Sequence, residues 1–379
     1  MDLLLGIITG LFILVLLVVA HELGHAISAL RNGVVVEEFG VGFPPLAWKK
    51  KLKNGILLSL NWLPLGGFVK LQGENDAASN KGDYGAATFY VKTKILLSGV
   101  AINWLVAIVL LSILALTGLP KVLPNQISIP SDTTLISQPI EIASVTKNYP
   151  AAKSGFKVGD SIVRFAGQEV LTVDRLLEVI KLNKGKEVAV IYSRDGVERT
   201  VHVTLKNKLN DEIFGAGLGQ RELIKATWSA PLVGVATAAQ FTWATAQSVG
   251  DLIGGLVSNL VLQLSPDASV REMASAKLNN TSDSVAGPIG IIGTVFPAAR
   301  RAGVTQLVFL TAIISLSLAV MNILPIPALD GGRWFTMATF RLLKKKLTKD
   351  REEKIQTIGF SVLMGLVILV TFADVAKLF

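Results

Sequence analysis

The chain has 379 residues, of which 51% are hydrophobic and only 17% charged, with a mean hydropathy of +0.53. Such an apolar chain of this length reads as an integral membrane protein with a smaller water-exposed part, not as a soluble globule. The formal charge of +9 then reads as cytoplasmic-loop Lys and Arg rather than a nucleic-acid surface, and the lack of cysteine excludes disulfides, thiolate metal sites and a cysteine nucleophile.

In chain order, the first apolar run extends from Leu3 to about Leu30. It has no basic n-region or A-x-A cleavage site and is longer than a signal h-region, so it is expected to be a retained transmembrane helix. Three more stretches reach the roughly 20 apolar residues a bilayer needs, at Ile95–Leu119, Leu307–Leu324 and Ile358–Phe372. Trp228–Leu264 is weaker, interrupted by Asp251, Gly254 and Gly255, and is expected to lie at the interface or on the bundle. A fifth crossing there is the alternative. Basic residues gather between spans one and two (Lys49, Lys50, Lys51, Lys53) and between spans three and four (Lys344, Lys345, Lys346, Lys349). Both loops are therefore expected to be cytoplasmic, with the termini and the long central segment outside.

After the first span, "VVVEEFGVGFPPLAWKKKLKNGILLSLNWLPLGGFVKLQGE" reads as strands with Lys53-Asn54-Gly55 as a hairpin turn. Its "LPLGGFVKL" is a glycine-softened edge that could pair with an extended peptide, or simply pack beneath the helices. From about Pro139 to Leu205 the order is strand, short helix, turn, strand, longer helix, strand, hairpin, strand. Here "PAAKSGFKVGDSIVRFAG" resembles the PDZ family. His202 alternates with Val201 and Val203 and is expected to face solvent. Residues 265–300 read as a polar loop with a Gly-Pro-Ile-Gly turn.

The expected organisation is a first transmembrane helix (1–32), a cytoplasmic or re-entrant β region (33–94), a second helix (95–119), a PDZ-like domain (120–210), an interfacial segment and loop (211–306), a third helix with the Leu-Asp-Gly motif (307–335), and a basic loop with the fourth helix (336–379). The fold class is thus a polytopic α-helical membrane protein with four spans, a membrane-associated β element and one extracytoplasmic PDZ-like α+β domain.

The chemistry concentrates in "HELGH". His21 and His25 stand at i and i+4, on one helix face, and can share one Zn²⁺, with Glu22 able to reach a water at that metal. Charged residues in mid-bilayer cost roughly 2.5–3.5 kcal/mol each on insertion scales, so chance seldom leaves such a group there. A polar packing patch would explain one histidine, but neither the spacing nor the glutamate. Gly24 would let another helix or the substrate come close. A catalytic zinc usually takes three protein ligands. With His202 placed on a solvent-facing strand, the third is expected to be a carboxylate. Asp330 in "SLSLAVMNILPIPALDGGRW" is favoured, because Pro325 and Pro327 break the helix and Gly331 and Gly332 let backbone approach. Its alternative reading is a cap on a helix starting near Trp334, and Asp251 is the competing carboxylate.

Together, "HELGH", "LPLGGFVKL", "SGVAIN", the PDZ-like unit, "AGPIGI" and "NILPIPALDGG" resemble the site-2 protease family of intramembrane zinc metalloproteases, in particular its bacterial regulator-of-sigma-E branch. The resemblance implies a Zn²⁺ cofactor held by His21, His25 and Asp330, with Glu22 as general base. It also implies that Asn322 steadies the substrate carbonyl, that Asn103 positions substrate or locks helices, and that the Gly66-Gly67-Phe68 edge holds substrate extended. Implied partners are the lipid bilayer and single-span transmembrane substrates, such as anti-sigma factors or remnant signal peptides, cut in a bacterial inner membrane. The PDZ unit would gate access or read a freshly cut peptide end. The chain departs from that branch in having one apparent PDZ unit and Val100 where proline is common. A catalytically idle membrane adaptor with a PDZ module, and a metal or small-solute transporter, are the other classes considered.

Overall fold

In a computed structural model, the described residues are 2–376 apart from 195, 208–212, 266, 268, 274, 276 and 278–286. Ala286 of "AGPIGI" and part of the polar 265–285 stretch lie outside them.

Four helices are long and apolar enough to cross a membrane: Asp2–Arg31 (α1), Phe89–Thr117 (α2), Val304–Ile323 and Lys349–Phe372, the last within a helix that runs to Ala376. Only 17% of the most apolar window of α1, and 6% of that of the fourth helix, is buried within the protein. Their exposed faces carry Leu3, Leu4, Ile8 and Phe12, and Val362, Leu366, Leu369 and Phe372. Such faces match a lipid solvent, where apolar side chains gain nothing by turning inward. α2 starts earlier than its apolar run, because Thr88 caps its first turn by accepting from Val91 N–H.

The chain forms two compact units, 1–113 with 234–379, and 114–233. In the first, β1 (Val36–Lys51) and β2 (Leu57–Leu71) form an antiparallel hairpin, with the expected Lys53-Asn54-Gly55 turn between them. Ala26 and Ala29 of α1, Val34, Val36, Tyr84, Ile95 and Met337 make a buried cluster beneath it.

The stretch Trp228–Leu264 does not break at Gly254 and Gly255. It folds as one helix, Ala230–Leu262, and neither glycine meets a neighbour that would force a bend. Over its first half this helix packs on the bundle: Trp104 Nε1 donates to Thr242 Oγ1 at 3.0 Å, and Phe241 stacks edge-on against Phe309.

The Gly-Pro-Ile-Gly turn expected within 265–300 is instead helical, running through Pro288–Gly290, Ile291–Val295 and Phe296–Arg301. The reason is tertiary. Asp374, buried at the end of the fourth helix, accepts from Gly287 N–H at 3.0 Å and Gly290 N–H at 2.8 Å and so satisfies donors that a free helix start leaves unpaired.

The second unit contains the expected alternation. Strands Ile140–Val145, Ser161–Phe165, Glu187–Arg194 and Val197–Thr204 alternate with helices Pro150–Lys153 and Val173–Leu182. Ala216–Gly219 joins the sheet beside Ile140–Val145, a pairing partner from beyond the expected segment. Ile142, Phe165, Leu176, Val179, Val190 and Phe214 fill its core. His202 is exposed, as its alternation predicted.

Candidate metal centre

The site starts with helical periodicity. His21 and His25 share one face of α1, and both are buried. Their rings meet edge to face, with centroids 4.7 Å apart. α2 lies almost directly on that face. A Cβ on Gly24 would stand 2.6 Å from the Ser98 carbonyl oxygen, and one on Gly99 would stand 2.5 Å from His25 Nε2. Only hydrogen fits at either position, so the two glycines set how closely α2 approaches the histidines. This is the helix contact expected of Gly24.

Asp330 arrives from the other end of the chain. The third span stops at Ile323, and Pro325 and Pro327 keep the next residues out of regular helix. A new helix, Asp330–Leu342, begins at Asp330 itself rather than near Trp334. A Cβ on Gly331 would clash with the Ile323 carbonyl at 2.2 Å, so glycine permits this sharp return.

The three side chains converge. Asp330 Oδ2 lies 3.1 Å from His21 Nε2 and 3.3 Å from His25 Nε2, and the two Nε2 atoms are 3.1 Å apart. Among the described residues, this is the group of His, Asp and Glu side chains that could hold a metal ion. Asp251 is not part of it.

The donor chemistry of the site fits a cation. His25 Nδ1 is 2.7 Å from the Ile95 carbonyl, which can only accept, so Nδ1 carries the proton and Nε2 presents a lone pair. Asp330 Oδ2 has no hydrogen-bond donor. Lone pairs aimed at one point repel unless a cation stands between them. Ligands bound tetrahedrally at zinc–nitrogen distances of roughly 2.0–2.1 Å lie about 3.3 Å from one another, close to the separations seen here.

Glu22, one residue from the first histidine, lines a cavity of about 150 Å³ together with His25, Phe68, Val69 and Asp330. β2 forms one wall. A Cβ on Gly67 would come within 3.5 Å of Glu22 Cγ, and Gly66 is held at φ +96° beside Phe43. The Gly66-Gly67-Phe68 edge is thus placed at the site. Asn103 is fully buried with its amide nitrogen 3.4 Å from His21 Nδ1, so it faces that imidazole rather than the cavity. Asn322 lies half-buried on the last turn of the third span, just before the return to Asp330.

One residue was not foreseen. Arg333, one turn beyond Asp330, donates to Glu74 Oε1 and to the Glu74 carbonyl, both at 2.8 Å, and to Glu352 Oε1 at 3.2 Å, and it stacks over Tyr84. Glu352 also accepts from Asp76 N–H. This network ties the helix bearing Asp330 to the β-region loop and the fourth helix. Its members are far apart in sequence, so no spacing announces it.

The model of peptidase family M50 matches residues 9–366. The chain belongs to peptidase family M50. The M50 chain is 30% identical over 359 residues to a Clostridium acetobutylicum protein provisionally named a zinc metalloprotease, covering 95% of this chain and 94% of that one. It is 25% identical over 445 residues to the zinc metalloprotease RasP of Bacillus licheniformis, covering 96% and 97%. To the regulator of sigma-W protease RasP of Bacillus subtilis it is 24% identical over 448 residues, covering 96% of each chain. A solved PDZ domain of an SdrC-like protein from Listeria monocytogenes aligns with 21% of the M50 chain and 81% of its own length at 21% identity and a TM-score of 0.18, too little to decide the fold of that segment. The M50 chain is a zinc metalloendopeptidase of the membrane, and zinc is its metal.

Proposed function

We propose that this protease cuts the transmembrane segments of single-span proteins in a bacterial inner membrane, with His21, His25 and Asp330 as zinc ligands and Glu22 as general base. The observation that carries the reading is the convergence of two imidazole nitrogens and one carboxylate oxygen within 4.8 Å, on a chain whose first ligand pair belongs to a membrane-length helix.

Zinc, when bound, supplies Lewis acidity toward a scissile carbonyl and an attacking water. The chain's own residues do the rest. The Glu22 carboxylate takes a proton from the water as its oxygen bonds to the carbonyl carbon. The same carboxylate returns that proton to the leaving amide nitrogen as the C–N bond breaks. The Asn322 amide would donate to the carbonyl oxygen as negative charge builds there. Peptide bonds inside a helix are shielded, so the substrate must unwind first, and the Gly66-Gly67-Phe68 edge offers main-chain partners to the extended segment. The PDZ-like segment, 120–210, would lie outside the cytoplasm and gate access or read a cut end. The regulatory name of the Bacillus subtilis relative supports anti-sigma factors as a substrate class.

Reconstituted wild-type protein should cleave a single-span reporter, and Glu22→Gln should keep its zinc while losing cleavage by about a hundredfold or more. A chelator should abolish wild-type cleavage and zinc should restore it. Cleavage by Glu22→Gln at the wild-type rate would remove the general-base assignment. Absence of cleavage by both proteins, each with zinc bound, would instead favour the idle-adaptor reading.

A further inference from the structure

A second and larger cleft, of about 510 Å³, opens between the first turn of α2, the end of the Asp330–Leu342 helix and the segment that leads into the fourth span. None of the metal-converging side chains lines it. We propose that this cleft binds the phosphate headgroup of an anionic membrane lipid.

Charge is the first argument. Lys92, Arg341, Lys345 and Lys346 line the cleft, and the acid beside them, Asp76, is already paired with Lys92. Among the described residues, Arg341, Lys345 and Lys346 have no ion-pair partner. The Arg341 guanidinium lies over the face of Phe89, 5.1 Å from the ring centroid. Three cations without an ion-pair partner around one concavity offer a complementary surface to an external anion.

The second argument is that the cations are held in place. Lys344 adopts a left-handed φ of +52°, and Lys345 N–H turns back to the Phe340 carbonyl at 3.0 Å. Leu347 is then buried in the cluster that contains Met337 and Tyr84. The backbone of Lys345 and Lys346 is held between these two anchors, so both side chains start from a fixed place at the cleft.

The third argument selects the occupant. Phe89, Met337, Phe340 and Leu347 line the same cleft as the cations. A free phosphate has no use for such a wall, whereas a lipid puts glycerol and acyl carbons beside its phosphate. The location agrees: the cleft adjoins the first turn of α2 and the start of the Lys349–Ala376 helix, where two membrane-length helices begin. Headgroups lie at that depth.

The test uses the purified full-length protein in neutral detergent, given mixed micelles of phosphatidylglycerol and phosphatidylcholine, with retained lipid measured by mass spectrometry. Wild type should retain phosphatidylglycerol preferentially, and more weakly at high salt. Arg341→Gln, Lys345→Gln and Lys346→Gln combined should lower that retention about tenfold or more, as expected for three charges near an anionic surface. Lys345→Arg with Lys346→Arg should keep it. Zinc content should be unchanged throughout, which separates this result from any failure of the metal centre. Equal retention of the two lipids, or unchanged retention in the triple variant, would overturn the proposal. Displacement of the lipid by millimolar inorganic phosphate would assign the cleft to a free anion and overturn the lipid assignment.

Discussion

At the scale of single residues, the tautomer of each histidine decides whether the centre can hold a metal. Ile95 sets that of His25 by accepting its Nδ1 proton. For His21 the corresponding atom faces Asn103, whose Oδ1 is buried and has no donor. If His21 Nε2 is to hold a lone pair for zinc, Nδ1 must carry the proton and needs an acceptor. A half-turn of the Asn103 amide supplies Oδ1 to it and satisfies both atoms. Asn103→Asp should therefore retain zinc, because a carboxylate also accepts, while Asn103→Leu should weaken zinc affinity by about ten- to hundredfold. Competition with a chelator measures both. Loss of zinc in Asn103→Asp but not in Asn103→Leu would show that the amide donates instead.

At the scale of elements, close approach and anchoring hold the site together. Gly99→Ala should push α2 away from α1, since the new methyl would overlap His25 Nε2 and His21. Overpacking of this kind costs about 1–3 kcal/mol, and here the added methyl also displaces the two imidazole rings. Zinc content should fall along with thermal stability. Arg333 anchors the other contributing helix. Its removal leaves the Glu352 carboxylate, 5% exposed, with no cation. Arg333→Gln should cost about 3–5 kcal/mol, read as a lowered unfolding midpoint in detergent, without touching His21, His25 or Asp330.

At the scale of the whole molecule, the two units follow different solvents. The unit with the four long helices exposes rows of large apolar side chains such as Phe12, Leu105 and Phe372, whereas the Leu114–Val233 unit gathers a core around Phe165 and Val190. The second unit behaves as an aqueous domain and carries an aqueous electrostatic lock. Burial raises the Asp160 carboxyl, but the Arg194 guanidinium, at 2.6 and 2.7 Å, together with the Lys157 N–H, outweighs it and holds the group below the usual carboxylate range. Because the folded form is the stronger acid, this contribution is complete above an ordinary aspartate pKa of about 4 and is lost as pH falls through the lowered folded value. Urea unfolding of the Ser161–Phe165 strand, followed by hydrogen exchange, should shift to lower urea between neutral and acid pH. In Asp160→Asn that acid-dependent part should be smaller.

The sequence by itself determined four membrane-length runs, the hairpin turn, the strand and helix order of the central unit, and the pairing of His21 with His25 beside Glu22. All of these are local: a hydropathy window, a period of two residues or a spacing of four is complete within one segment. Asp330 was legible for a related reason, since proline and glycine around a lone carboxylate mark irregular backbone. Tertiary structure alone decided the rest. It placed the Ile95 carbonyl on His25, turned Asn103 toward His21, tied Arg333 to Glu74 and Glu352, and made 287–301 helical through Asp374. Each of these depends on partners distant along the chain, whose meeting is set by helix packing and leaves no pattern in either segment alone.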